Sequence, residues 1–418
     1  MNIHTATING IQEDRRKRDT PRRVNGGASP AHALKVADLR SRVDKVAAVA
    51  AAHAVAVDRE SRFPHEAIDA ARRERLLSIA VPLELGGEGL SAADVVDVCY
   101  ALGKACASTA MIYAMHQTKV ACVVRHGRGS AWHQLLLRRL CAEQLLLASS
   151  TTEGQAGGDV RNSAAPVEGA AARITLERQA TVISYGEAAD GVVTTARRAA
   201  DAASSDQVLV VFLKDDYRLE RLNGWDALGM RGTCSAGFKL VASGLREQIL
   251  PEAYEKIHSH TMMPFAHLAW SGAWAGIAAA AVDRARAFVR KAAHRSGGTL
   301  PPGAAHLTRA LASLRTLRSV IAAALARFEA ADPETLESID FQTGMNMHKV
   351  NASELAVATV MSAMQASGLA GYRNDGDFTM GRHLRDVLSA PIMISNDRIL
   401  ANVAAASLLG GAPVSLRD

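Results

Sequence analysis

Residues Ser149 to Asp159, SSTTEGQAGGD, divide the chain into two kinds of text. Upstream, Arg138 to Leu147 (RRLCAEQLLL) reads as the end of an apolar helix. Downstream, Arg173–Leu176 and Thr181–Ser184 alternate, so the periodicity changes from helical to strand-like across this stretch. Ser, Thr and Gly at such a junction expose backbone N–H groups and let the chain approach a flat or anionic ligand closely. The same composition also suits an ordinary surface loop.

Working outward, a chain of 418 residues is long enough to bury a large core and is expected to form two or three domains. It is Ala-rich, with few aromatics and no uncharged apolar run of transmembrane length, which predicts a mostly helical protein without membrane insertion. No apolar signal region opens the chain, and the five cysteines (Cys99, Cys106, Cys122, Cys141, Cys234) form no CxxC pair. A cytoplasmic location is therefore expected, with no disulfide and no metal site. The net charge of +6 is concentrated in Arg15–Arg18 and Arg22–Arg23, within a stretch lacking any apolar period. Residues 1–32 are read as a disordered basic tail, and the nearly neutral remainder argues against nucleic-acid binding.

Between the tail and the junction, residues 33–145 read as a helical domain. Ala33–Arg59 and Pro64–Arg75 predict two helices, the second with Pro near its first turn. Val81–Ser91 is a glycine-rich turn, with Ser91 placed to cap a helix over Ala92–Arg125 that breaks near Ser108–Thr109. His116 sits there among apolar neighbours. It reads either as a core histidine bonded to a backbone carbonyl or as a polar group facing a ligand. Residues 146–250 read as a β-domain, with Val208–Leu213 as one short apolar strand. Residues 251–418 return to helix, in segments Ala266–Arg290, Ala304–Phe328 and Met345–Ser367, the first rich in small residues suited to close helix packing.

Three stretches, in order and at the expected spacing, resemble the acyl-CoA dehydrogenase family over roughly residues 35–410. Thr152–Val160 (TEGQAGGDV) is similar to the family's TEPGAGSDV, departing at Gly154, Gln155 and Gly158. Trp225–Ser235 (WDALGMRGTCS) is similar to LGMRGTxS, and Gln365–Tyr372 (QASGLAGY) to QxxGGxGY. Supporting likenesses are Pro82–Gly89 to PxxxGGxG, Val182–Ser184 to the flavin-contacting W-I-T/S strand, and Arg385-Asp386 to the following RD pair. The resemblance implies a mainly α fold with an inserted β-domain: an N-terminal helical domain, a middle β-barrel or sandwich, and a C-terminal four-helix bundle that drives oligomerisation. It also implies FAD between the β-domain and the bundle. Residue by residue, Thr151, Thr152, Gly158 and Ser184 would line the flavin, while Gln365, Gly368 and Asn396 would complete the site. Gly158 loses the family's hydroxyl but keeps its backbone N–H. The Gln365–Tyr372 segment meets a neighbouring subunit's flavin in the family, so a homo-oligomer, dimer or tetramer, is expected. Arg295–Gly298 (RSGG) lacks the Phe of the family's R-x-F-G contact.

The pattern breaks at the catalytic base. Where the dehydrogenases present the glutamate that takes the acyl α-proton stands Ile394, and at the alternative position stands Ala266, beside His267. Neither alkyl side chain accepts a proton. Three accounts follow. Asp397, His116 or His267 replaces the base, in an FAD-dependent α,β-dehydrogenase of an acyl-CoA or acyl-carrier thioester that passes electrons to a partner. Alternatively the protein resembles the flavin monooxygenases of this fold, which use reduced FMN or FAD from a reductase, together with oxygen, and need no such base. Lastly, it is a non-catalytic flavoprotein or scaffold.

Overall fold

The computed structural model describes residues 30–153, 161–169 and 172–408; most of the basic tail and Gly158 of the junction loop lie outside them. Helix α1 (Pro30–Glu60) and helix α2 (His65–Arg73) open the described chain. Leu39, Val43, Val46, Ala50, Ala54 and Val57 recur every three or four residues along α1 and are all buried, as a one-sided apolar stripe requires. Ser91 starts helix α3 (Ala92–Ala105) through a reciprocal cap with Asp94, which satisfies two otherwise orphaned N–H groups. The expected break falls at Cys106, whose extended backbone (φ −149°, ψ 114°) separates α3 from α4 (Ala107–His126), and α5 spans Ala131–Glu143.

The strand region forms two three-stranded sheets. In one, β1 (Leu147–Ser150) runs parallel to β3 (Gly191–Arg197), which pairs antiparallel with β4 (Gln207–Leu213). In the other, β2 (Arg173–Ile183) and β5 (Tyr217–Arg221) flank β6 (Ala236–Leu245), all antiparallel. Alternation along β2 buries Ile174, Leu176 and Ala180 and exposes their neighbours, so one face of its sheet meets water. Strands β3 and β4 are buried on both faces, and the reason is visible in their partners. Val192, Val210 and Phe212 pack with the core of the β2 sheet, while Val193, Leu209 and Val211 pack with Leu136, Leu137 and Leu140 of α5. A strand covered on both sides reads as a continuous apolar run, which is the text at 208–213.

Past the sheets, α6 (Tyr254–Ile257) passes through a π-helical turn at His258–Met262 into α7 (Met263–Arg295). Then follow α8 (Ala304–Ala330), α9 (Pro333–Glu337), α10 (Ile339–Ser367), α11 (Leu369–Tyr372), α12 (Gly381–Val387), α13 (Ser389–Ile392) and α14 (Asn396–Ser407). α7 lies against α3 on one side and against α8 and α10 on the other, and α14 packs on α10. The approach to α3 is close because both helices carry glycine where they cross. A Cβ on Gly276 would lie 2.2 Å from Tyr100 O, and one on Gly103 would lie 2.3 Å from Ala273 O. Among the described residues, Tyr254–Arg295 is the one segment long and apolar enough to cross a membrane; 89 % of its most apolar stretch is buried inside the protein.

Candidate active site

A cavity of about 1420 Å³ opens where β1, β2, α4, α7, α10 and α14 converge. Ser149, Thr151, Thr152, Val182 and Ser184 line it from the strands, and Met115, Thr118 and Lys119 from α4. The π-helical turn adds His258, Ser259 and Met262, and α7 adds Met263, Ala266, His267 and Trp270. A π-turn shifts the helix register by one residue, which brings more of one short segment onto a single face. Ile394 and Arg398 close the far wall.

The strand side is an ordered set of hydroxyls. Thr233 Oγ1 donates to Met230 O at 2.8 Å, Ser235 Oγ lies 2.7 Å from Thr233 Oγ1, and Ser184 Oγ lies 2.7 Å from Ser235 Oγ. A carbonyl only accepts, so three contacts shared among three protons have one consistent direction: Ser184 donates to Ser235, which donates to Thr233. Ser184 therefore presents lone pairs to the cavity. Trp270 lines the same cavity from α7, and its buried Nε1–H has no partner among the described residues. Hydroxyl acceptors at one wall and an unpaired indole donor at another suit a flat heteroaromatic group with polar edges.

The motif stretches also have local structural roles. Glu153, 4 % exposed, accepts from Ser163 Oγ (3.0 Å) and Ala164 N (2.6 Å) and pairs with buried Arg178 at 3.3 Å. Arg178 Nη1 also donates to the Thr194 and Thr195 hydroxyls, both at 3.0 Å. Asp386 of the RD pair accepts from Met230 N at 2.7 Å, and Arg385 donates to Leu228 O and Asp58 Oδ1, both at 2.9 Å. Helix α12 thus clamps the LGMRGT loop to α1. A Cβ on Gly229 would lie 2.1 Å from Arg385 O, so this step of the motif admits only glycine. Burial raises the Asp386 carboxyl to about 6.

Of the candidate bases, only His267 lines the cavity. Its Nδ1 donates to Met345 O at 3.2 Å, which makes Nε2 the acceptor of the neutral ring. Burial, with lesser contributions from Lys349 and His348, lowers it to about 3, which makes it a feeble base. His116 is off the cavity lining: Nε2 donates to Leu77 O (2.8 Å), Nδ1 accepts from Leu147 N (3.0 Å), and burial lowers it to about 4. Both ring nitrogens are spent joining α4 to the start of β1, which is the core-histidine geometry. Asp397 is exposed in the first turn of α14, also off the lining, where a carboxylate answers the helix dipole.

The predicted flavin residues divide in the same way. Thr151, Thr152 and Ser184 share the cavity. Asn396 is buried beside it, accepting from Lys349 Nζ (2.7 Å) and donating to Ser353 Oγ (3.0 Å), and so ties α14 to α10. Gln365 and Gly368 are exposed where α10 ends, at Gly368 (φ +53°), away from the cavity of this chain. Sequence reading missed Lys119, Trp270 and the π-turn. A lone lysine directly before the apolar run Val120–Val124 was a usable signal; the register of the π-turn left none. Among the described residues, no group of three His, Cys, Asp or Glu side chains is placed to hold a metal ion.

With this geometry in place, comparison with known proteins gives a consistent result. The acyl-CoA dehydrogenase N-terminal domain matches residues 36–143 and the acyl-CoA dehydrogenase C-terminal domain matches residues 260–409. L-evernosamine nitrososynthase of Micromonospora sp. is 29 % identical over 386 residues, covering 85 % of this chain and 86 % of that protein. FMN-bound TdsC of Paenibacillus sp. A11-2 superposes with a TM-score of 0.77 at 18 % identity, covering 90 % of this chain and 98 % of that one. Butyryl-CoA dehydrogenase of Megasphaera elsdenii superposes with a TM-score of 0.75 at 17 % identity, covering 89 % and 98 %. The two domain matches flank the strand region in the order the fold requires, and the chain belongs to the acyl-CoA dehydrogenase family.

Proposed function

We propose that this protein is a flavin-dependent monooxygenase that oxidises a small organic molecule in the cavity, drawing reduced flavin from a separate reductase. The observation that carries this reading is the cavity wall where desaturation needs a base. Ile394 and Ala266 stand there, His267 is held neutral, and the lining carboxylates Asp206, Glu255 and Glu337 are all exposed at the rim. Bound reduced flavin, FMN or FAD, would supply the two electrons that let dioxygen give one atom to the substrate and release the other as water. Thr151, Thr152 and Ser184 would hold the ring edge, and the lone pairs of Ser184 favour a ring position that carries N–H. Val182, Met115, Met262 and Met263 make the inner wall apolar and exclude water from the reacting atoms. His267 offers an acceptor to orient a substrate N–H or O–H.

Amine-bearing sugars are the first substrates to assay, because the nitrososynthase matches over 85 % of this chain. The test supplies a reductase, NADH, FMN or FAD and oxygen, and follows gain of one oxygen in the substrate by mass spectrometry. Failure to oxygenate any amine or thioether, combined with bleaching of bound FAD by an acyl thioester without oxygen, would replace this reading with the dehydrogenase. That second reading rests on family membership. Of its candidate bases Asp397, His116 and His267 only the last lines the cavity, so unchanged turnover in His267→Gln would remove it. A homo-oligomer belongs to either reading, since Leu369 and Tyr372 are 71 % and 74 % exposed beside Gln365 and Gly368. A chain that binds neither oxidised nor reduced flavin would be a scaffold.

A further inference from the structure

Among the described residues, Lys119 is a charged side chain without a charged partner. It is 3 % exposed, lines the cavity from α4, and among the described residues its side chain hydrogen-bonds only Met262 Sδ, at 3.4 Å. That sulfur is a weak acceptor and is already approached by Tyr254 Oη at 3.5 Å. No carboxylate forms an ion pair with Lys119 among the described residues. Two of the three rim acids are engaged elsewhere, Asp206 with Arg198 at 2.9 Å and Glu337 with His260 at 2.9 Å. Thr118, the neighbouring hydroxyl, donates to Ala114 O at 2.8 Å and so offers Lys119 no compensating charge. Burying an ammonium without a counter-charge is costly, and natural chains retain such a group where something else supplies the charge. Here a large cavity lies against it.

We propose that Lys119 is an anion-binding subsite of this cavity, completed by a carboxylate or phosphate oxygen of the bound ligand. The ammonium has two donors left for that oxygen, and the methionine and tyrosine around it keep the pair away from water, where a charge-assisted hydrogen bond is strongest. Burial lowers the ammonium to about 8, which leaves it protonated at neutral pH, and an arriving anion would hold it so. The inference rests on the cavity being the ligand site, not on which reaction occurs there. Two sources carry this chemistry, an acidic group on the substrate and the phosphate of the flavin.

The test uses the purified full chain without oxygen or reductant. Benzoate and benzamide are titrated against intrinsic tryptophan fluorescence, since Trp270 shares the cavity, and FMN and riboflavin are titrated by flavin fluorescence. A charge-assisted bond predicts a preference of about tenfold or more for the anion in the wild type. That preference is expected to vanish in Lys119→Met and to persist in Lys119→Arg, with both variants checked for unchanged circular dichroism. Loss in the benzoate pair assigns the subsite to the substrate, and loss in the FMN pair assigns it to the flavin. No anion preference in either pair, or a preference that survives Lys119→Met in both, overturns the proposal. Either result leaves the oxygenation assay standing on its own, and failure of that assay leaves these titrations intact.

Discussion

Replacing Lys119 by methionine should stabilise the protein. The side chain is buried, and burial lowers its ammonium from 10.5 to about 8, a small opposing effect coming from Cys122. The direction settles the sign. A folded value below the unfolded one means that the unfolded chain binds the proton more tightly, so the cost of burial is fully present below about pH 8. It fades as pH rises from about 8 to 10.5 and is absent above. At about 1.4 kcal/mol per pH unit, that gap is a cost of about 3 kcal/mol at pH 7. Methionine fills a similar volume, is at home against Met262, and carries no charge. For a chain of this length, about 2 cal/mol/K of unfolding entropy per residue converts the gain to a rise in melting temperature of roughly 4 °C. The assay is a pair of thermal melts, wild type and Lys119→Met, at pH 7 and at pH 10 in matched buffers. Subtracting one from the other removes the titration of every other group. The expected pattern is a more stable variant at pH 7 and a smaller difference at pH 10. A variant less stable than wild type at pH 7 would refute the reasoning, because Lys119 would then hold a structural partner rather than face the cavity unpaired.

Three further outcomes follow from the geometry. Glu153→Gln should cost about 3 to 5 kcal/mol, since it leaves the buried Arg178 guanidinium uncompensated; denaturant melts check it, and a loss below 1 kcal/mol would show that the pair is not buried as described. Asp386→Asn keeps an acceptor for Met230 N and removes a carboxyl whose folded value, about 6, lies above its ordinary 3.8. The cost of ionising Asp386 in the fold grows as pH rises through that window. The variant should therefore gain up to about 3 kcal/mol at pH 7 and nothing below pH 4, and urea midpoints at the two pH values measure both. Gly276→Ala should destabilise by about 3 kcal/mol in the same melts, because its methyl would meet the backbone of Tyr100 and only parting α3 from α7 makes room; a neutral substitution would mean that the helices are not in contact there.

The local rules carried far in this chain. Apolar spacing located α1, α7, α8 and α10, the Ser91 cap started α3, and Gly368 ended α10, because each depends on residues within a turn or two. The loss of the dehydrogenase base was also legible, since isoleucine at 394 and alanine at 266 are inert in any surroundings. The reasons for the loop motifs lie in distant partners. Glu153 of the junction is there for Arg178, and Asp386 is there for the backbone of Met230, 156 residues earlier.

What the tertiary structure decided was the role of each polar side chain. His116 and His267 look alike in the text, yet one spends both nitrogens on Leu77 and Leu147, while the other faces the cavity with a free acceptor. The polarity of Ser184 is set by Ser235 and Thr233, some fifty residues on, and the isolation of Lys119 by Met262, 143 residues on. The sequence by itself determined the helices, the strands, the family and the missing base, because those follow from side-chain type and short-range order. Which groups meet the ligand depends on burial and on partners brought together from distant elements, and only the folded chain determines those.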